Sequence, residues 1–238
     1  MLSFVVPAHN EERLLGGTVD AIHQAASTTG EPYEVIVVDD SSTDRTAFVA
    51  ESCKATVVRV AHRQIAATRN SGAKAASGDL LFFVDADTRI NPEVIVEAIA
   101  AVRAGAVGGG AAIEFDAPIP LYARALLPIM ALSFRLGRLA AGCFIFCTRD
   151  AFVAVGGFDE AYFGGEEVII SRALGRHGRF VILRSTVITS GRKLRCYSAG
   201  ELMTSMFQLA RGGTKAVQRR DGLEFWYGER RDDPPRDT

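Results

Sequence analysis

Several protein classes are excluded by what this chain lacks. Its 238 residues include only four cysteines, Cys53, Cys143, Cys147 and Cys196, with no C-x-x-C pair among them. That spacing gives neither a disulfide framework nor a zinc knuckle. Cys143 and Cys147, in CFIFC, read as buried free thiols on one face of a strand. There is almost no net charge: 27 Lys+Arg against 28 Asp+Glu leave -1, which argues against a general nucleic-acid binder. The longest apolar stretch, 118–134, is interrupted by Arg124 and three prolines, too broken for a spanning helix. No G-x-G-x-x-G follows the first predicted strand, so a nicotinamide or flavin dinucleotide site, and a dehydrogenase with it, lacks its fingerprint. The opening MLSFVVPAHNEE has no basic n-region and turns acidic at once, which does not read as a signal peptide.

What is present is an ordinary globular composition, 48% hydrophobic and 23% charged. Apolar runs at 2–7, 34–40, 55–60, 79–87 and 105–115 predict strands, the first four of them bounded by polar punctuation. Helical spacing fills the gaps at 11–27, 44–53, 65–76 and 92–104. Strict alternation of this kind predicts an α/β fold with a mostly parallel sheet and helices on both faces. The second half is less regular. It reads as an apolar, arginine-bearing helix over 118–139, a strand over 142–149, a helix over 166–177, one strand or two over 179–190, and a helix over 198–211. From Asp221 the chain is expected to fray, ending in Pro234-Pro235 and mixed charge.

In such sheets ligands bind beyond the carboxyl ends of the strands, and the acids fall there. Asp85-Ala86-Asp87 follows LLFFV, so two carboxylates flank one small residue where a buried strand leaves the sheet. Mg²⁺ is typically held by one or two carboxylates plus substrate phosphates. Asp39 and Asp40 close the second strand, where an acid can accept from a base N–H or a ribose hydroxyl. After Pro7 and Ala8, Asn10 and Glu11 can contact a nucleotide, or Asn10 can N-cap the following helix. Arg69 and Asn70 stand on the helix before the Asp85 strand, and Glu166 and Glu167 open a later helix, whose N-terminus favours ionised carboxylates.

Taken together, PAHNEE, VVDDSSTD, ATRNSGAKAASGD, LLFFVDADT and GGFDEAYFGGEEVIISR resemble a family 2 glycosyltransferase of the GT-A fold, in the right order over roughly residues 2–185. The resemblance implies a Rossmann-like nucleotide-binding half and a smaller acceptor-side half within one domain: 1–116 for the donor, 117–220 for the acceptor, and a tail from 221 to 238. It implies transfer of a sugar, with inversion, from a nucleotide-diphosphate sugar to an acceptor hydroxyl. Pro7, Ala8, Asn10 and Glu11 match the first nucleotide-contacting loop, Asp39 the base-contacting acid with Asp40 beside it, and Arg69-Asn70 the family's RN element. Asp85 and Asp87 match the DxD that binds Mg²⁺ or Mn²⁺ and the diphosphate across Ala86. Glu167 stands where the catalytic base is usually an aspartate, with Glu166 as the helix cap. Arg192, in TSGRKLR, falls where a late loop closes over the donor phosphates. A nucleotidyltransferase of a related fold needs a Gly-rich loop after the first strand, which PAHNEE lacks. A non-catalytic nucleotide-sugar-binding member is the other alternative, supported by Glu at the base position and Ile169 in place of a second acid.

The small net charge conceals an asymmetry. Residues 1–120 carry 9 Lys+Arg and 16 Asp+Glu, whereas residues 121–220 carry 15 and 6. An acidic donor half suits a metal and a nucleotide. The basic half, with Arg124, Arg135 and Arg138 interrupting an apolar helix, suits an anionic or lipid-linked acceptor, a peripheral contact on the inner membrane face, or packing in a homodimer. The expected location is cytoplasmic.

Overall fold

In the computed structural model, residues 1–196, 200, 201, 217, 218, 220, 223, 227 and 228 are described. Apart from Gly200 and Glu201, the expected 198–211 helix lies outside the described residues, as do Phe225, Trp226 and the Pro234-Pro235 end.

Five strands from the first half and two from the second, with one two-residue strand, join in a single sheet of order β3-β2-β1-β4-β7-β6-β8-β5. β1 (Leu2–Ala8), β2 (Tyr33–Asp40), β3 (Thr56–Val60) and β4 (Leu80–Val84) are parallel, the last three each reached through a helix. Those helices are α1 (Leu15–Ser27), α2 (Thr46–Ser52) and α3 (Ile65–Ala75). Next come β5 (Thr88–Arg89), α4 (Pro92–Arg103) and β6 (Ala106–Phe115). The second half gives α5 (Leu121–Leu136), β7 (Phe144–Thr148), α6 (Arg149–Ala154), α7 (Glu166–His177), β8 (Arg179–Thr189) and α8 (Arg192–Cys196). The sheet is mostly parallel as expected, with β7 and β5 running against it.

The continuous apolar runs are buried on both faces. Phe4, Val6, Val35, Val37 and Phe82 pack under α1 and α4, while Val5, Ile36, Val38, Leu81 and Phe83 pack under α3, α6 and α7. Three local expectations change. Pro7 does not end β1; it pairs opposite Val38 within it. β4 accompanies β1 only as far as Val5, so the missing N–H of Pro7 costs no ladder bond on that side. The 79–87 strand stops at Val84, and Asp85–Asp87 form a turn closed by Thr88 N–H donating to the Asp85 carbonyl at 3.0 Å. Cys143 precedes β7, so alternation does not apply to it: it packs with the α1 side and Cys147 with the α3 side. Both thiols are free, and burial pushes both well above the ordinary thiol range, which makes them inert.

β7 decides where the two halves of the chain meet. It inserts antiparallel between β4 and β6, pairing Val84 with Phe144 and Gly110 with Ile145. The loop before it, at Gly142 and Cys143, is thereby carried to the carboxyl end of β4, and Asp85 N–H donates to the Cys143 carbonyl at 3.1 Å.

Candidate active site

A cleft of about 300 Å³ opens at the carboxyl ends of β1, β2 and β4. Its walls include Pro7, Ala8, Glu11, Asp40, Arg69, Asp85, Ala86, Asp87, Glu166 and Glu167. Residues distant in sequence converge there because a parallel strand exit, the N-terminus of α7 and the turn before β7 share one edge.

Arg69 organises the cleft. It is 2% exposed on the buried face of α3, a position that an unpaired guanidinium would not tolerate. Nη1 donates to Glu166 Oε1 at 2.8 Å; Nη2 donates to Asp85 Oδ1 at 2.8 Å and to the Gly142 carbonyl at 2.7 Å. The guanidinium lies 5.2 Å from the centre of the Phe158 ring, a cation–π contact. Burial alone would lower its pKa, but Asp85 and Glu166 reverse that and hold it above the ordinary arginine value.

Glu166 was expected to cap α7. The helix instead begins after Gly165 in the left-handed region (φ 73), with no side-chain cap, and the Glu166 carboxylate turns inward to Arg69. Glu167 therefore remains as the carboxylate facing the cleft. A side chain at Gly142 would begin 3.7 Å from both the Glu167 carboxyl carbon and Arg69 Nη2, which marks how closely the three approach. Burial first, then the neighbouring charge of Glu166, pushes Glu167 up to about 7.

Asp87 is half-buried, and burial, then Asp85 and Glu11, push its pKa up to about 6 against the pull of Lys193 and Arg192. Glu11, 4% exposed, takes Arg192 Nη2 on both oxygens, at 2.8 and 3.1 Å. Arg192 is thus fixed beside Asp87 by a residue of the first loop. It lies in α8, a short helix where the sequence reads as a basic turn.

The model of "Glycosyl transferase family 2" matches residues 3–147. The chain belongs to that family. Among curated relatives, validoxylamine A glucosyltransferase of Streptomyces hygroscopicus subsp. limoneus is 28% identical over 221 residues, 75% of this chain and 48% of that protein. Dolichol-phosphate mannosyltransferase of Pyrococcus furiosus is 33% identical over 44% of this chain and 30% of its own length. The chain spans about half the length of the first of these relatives. Among solved structures, mannosyltransferase PcManGT of Pyrobaculum calidifontis in complex with GDP-Man and Mn²⁺ superposes with a TM-score of 0.67 at 17% identity, covering 98% of this chain and 66% of that one. S. aureus TarS 1-349 in complex with UDP-GlcNAc gives 0.64 at 17%, covering 94% and 71%. The GT-A architecture expected of a family 2 glycosyltransferase is therefore present.

Within this family 2 chain, some predicted donor residues hold the scaffold. Asn10 does not cap α1, which starts at Leu15. Its backbone is left-handed (φ 52) and its Oδ1 accepts from Thr43 N–H at 2.8 Å, joining the first loop to the second. Asp39 Oδ1 accepts from Ser42 N–H at 3.2 Å, and neither residue is part of the cleft wall. Asp40 uses both oxygens within the chain, accepting from Arg63 and Gln64 N–H at 2.8 and 3.1 Å and from Thr68 Oγ1 at 2.8 Å. It caps α3 from the neighbouring strand, where the helix N-terminus favours its charge. Asn70 clamps the turn before α7: Nδ2 donates to the Phe158 carbonyl and Glu160 Oε1, and Oδ1 accepts from Phe158 N–H, each at 2.9 Å.

Other cleft residues carried no signal. His9, within PAHNEE, lines the cleft with its Nδ1 2.8 Å from the Asp40 carbonyl. Gly142 and Cys143 read only as the edge of a buried strand. The tail was expected to fray from Asp221, yet Leu223 is 1% exposed and Tyr227 reaches the cleft, its hydroxyl accepting from Ile65 N–H at 3.4 Å.

Proposed function

We propose that this chain transfers a sugar, with inversion, from a nucleotide-diphosphate sugar to an acceptor hydroxyl. The observation that carries the reading is the convergence of Asp85, Asp87 and Glu167 on one cleft, cross-linked through Arg69 and Glu166. The solved neighbours, one in complex with GDP-Man and Mn²⁺ and another with UDP-GlcNAc, support a nucleotide-sugar donor. Relatives that include undecaprenyl-phosphate 4-deoxy-4-formamido-L-arabinose transferase support a lipid-linked acceptor, met at a membrane surface.

The residues fit a divalent cation. Asp85, Asp87 and Glu11 crowd negative charge where burial has already raised Asp87, and hard oxygen donors with a diphosphate are the ligand set of Mg²⁺ or Mn²⁺. Asp85 and Asp87 would hold it, and when bound it would act as a Lewis acid for the departing diphosphate. Among the described residues no group of three or more His, Cys, Asp or Glu side chains forms a cage, so donor phosphate oxygens would complete the set.

The chain's own residues supply the rest. Arg69 bridges Asp85 and Glu166 and sets the first acid of the pair relative to the Glu167 helix. Arg192, held by Glu11, places positive charge beside Asp87 for the diphosphate. Glu167 takes the acceptor proton at a carboxylate oxygen; one base opposite one leaving group gives a single in-line displacement and inversion. Pro7 and Ala8, on the cleft wall, would face the nucleoside.

A panel of nucleotide sugars, scored by thermal shift with and without Mn²⁺ and by product anomer, tests this. Asp85→Ala should lose metal-dependent stabilisation by the donor, whereas Glu167→Gln should keep it and lose transfer. Unchanged transfer in Asp85→Ala would remove the metal assignment, and unchanged transfer in Glu167→Gln would remove the base.

A further inference from the structure

Helix α5 is built inside out. A surface helix normally turns its apolar stripe to the core and its polar face to water. Of the described residues of α5 only Ala123 is buried, while Leu121, Leu126, Ile129, Leu132 and Leu136 are 79%, 49%, 65%, 57% and 75% exposed. At about 100° per residue, Leu121, Ile129, Leu132 and Leu136 share an arc of roughly 80°, with Leu126 at its rim. Arg124 and Arg135, both exposed, line one flank of that arc, and Arg138 follows in the turn after the helix. None of the three pairs with a carboxylate among the described residues.

The charge pattern says what covers this face. Between Asp116 and Asp150 there is no Asp or Glu at all. A second copy of the chain would bring arginines against arginines with no acid from this segment to pair them. An anionic bilayer satisfies both features, taking the leucines into its acyl boundary and the arginines at its phosphates. At 16 residues, about 24 Å, α5 is shorter than the hydrocarbon core, and no helix of the described residues is long and apolar enough to cross a membrane. It would lie on the surface.

We propose that α5 is a membrane-docking helix that inserts Leu121, Ile129, Leu132 and Leu136 into an anionic lipid surface, with Arg124, Arg135 and Arg138 on the phosphates. The docking goes beyond the transferase reading; only its consequence for the acceptor rests on that reading. α5 follows β6 directly, and the Tyr122 hydroxyl donates to the Leu194 carbonyl at 3.0 Å. Asp116 Oδ1 accepts from Gly191 N–H and Arg195 Nη1 at 2.9 and 3.1 Å. The same short segment carries Arg192, paired with Glu11, and Lys193 on the cleft wall. A bilayer under α5 therefore borders the Lys193 side of the cleft and presents a lipid-phosphate acceptor there.

Co-sedimentation of the full chain with vesicles of phosphatidylcholine, with and without phosphatidylglycerol, tests the docking without reference to catalysis. Binding is expected only to the anionic vesicles and should weaken with salt. Ile129→Glu with Leu132→Glu, and separately Arg124→Gln with Arg135→Gln, should each reduce it by on the order of tenfold or more. Because these side chains are exposed, both variants should keep the wild-type melting temperature and donor-induced thermal shift. Wild-type protein left in the supernatant with both vesicles overturns the proposal, as does undiminished binding by the glutamate variant. A dimer in sedimentation velocity that Leu132→Glu dissociates, without vesicle binding, overturns it in favour of self-association. Loss of transfer with vesicle binding intact counts against the transferase reading alone.

Discussion

Glu166 and Glu167 are adjacent in sequence and end in different environments. Glu166 is spent on Arg69; Glu167 faces the cleft with its carboxyl pushed up to about 7. Its base form is the deprotonated one, so transfer should rise with pH through about 7, and the acid limb of a kcat profile measures this. Glu166→Gln removes the negative neighbour that raises Glu167 and frees Arg69 to lower it, so the limb should move to lower pH. Glu167→Gln should cost about 10²–10⁴-fold in transfer. The raised pKa also means that the folded state holds a proton which the unfolded chain releases from about pH 4.5 upward, so this group withdraws stability as pH rises toward 7. Glu167→Gln should accordingly melt higher than wild type at pH 8 and alike at pH 4, read by calorimetry. Arg69→Met should be the reverse case. It strands the buried Glu166 carboxylate and costs about 3–5 kcal/mol in urea denaturation, with the half-exposed Asp85 contributing less.

At the scale of elements, α3 carries the cleft's organising arginine only because it presses onto the sheet. Gly72 makes that possible. In the sequence it looks like a weak point in a helix. In the structure a Cβ there would fall 2.2 Å from Val5 Cγ1 and 2.8 Å from Val38 Cγ2. Gly72→Ala should therefore destabilise by about 1–3 kcal/mol despite alanine's higher helix propensity, and it should reduce transfer as well, because α3 must lift and Arg69 moves with it. The turn before α7 depends on Asn70 in the same way. Its three hydrogen bonds to Phe158 and Glu160 set the approach to Gly165, and Asn70→Ala leaves the part-buried N–H and carbonyl of Phe158 unmet. A loss of about 1–3 kcal/mol in urea denaturation, with donor-induced stabilisation still measurable, is the expected outcome.

The whole molecule gives the near-zero net charge a spatial meaning. Acids of the first half meet at the carboxyl edge, where Asp85 pairs with Arg69 and Glu11 with Arg192 around the half-buried Asp87. Arg124 and Arg135 stand out on α5 and Arg138 just after it, in a stretch, 117–149, that has no Asp or Glu. High salt should thus weaken association with anionic vesicles far more than it shifts the melting temperature, since the pairs that hold the cleft are buried and poorly screened.

Local periodicity and punctuation were enough to place the alternating strands and helices, the mostly parallel sheet and the acids at the strand ends. The ordered motifs of the family were legible there too. Long-range packing settled that β7 enters antiparallel and brings Gly142 to Asp85, that Asp40 and Asn70 fasten loops, and that Leu223 is buried. Those outcomes depend on pairings between residues tens to more than a hundred positions apart, which leave no local period to read. The same reason separates Glu166 from Glu167: identical residues on one helix turn differ in role because Arg69, 97 positions away, reaches only the first.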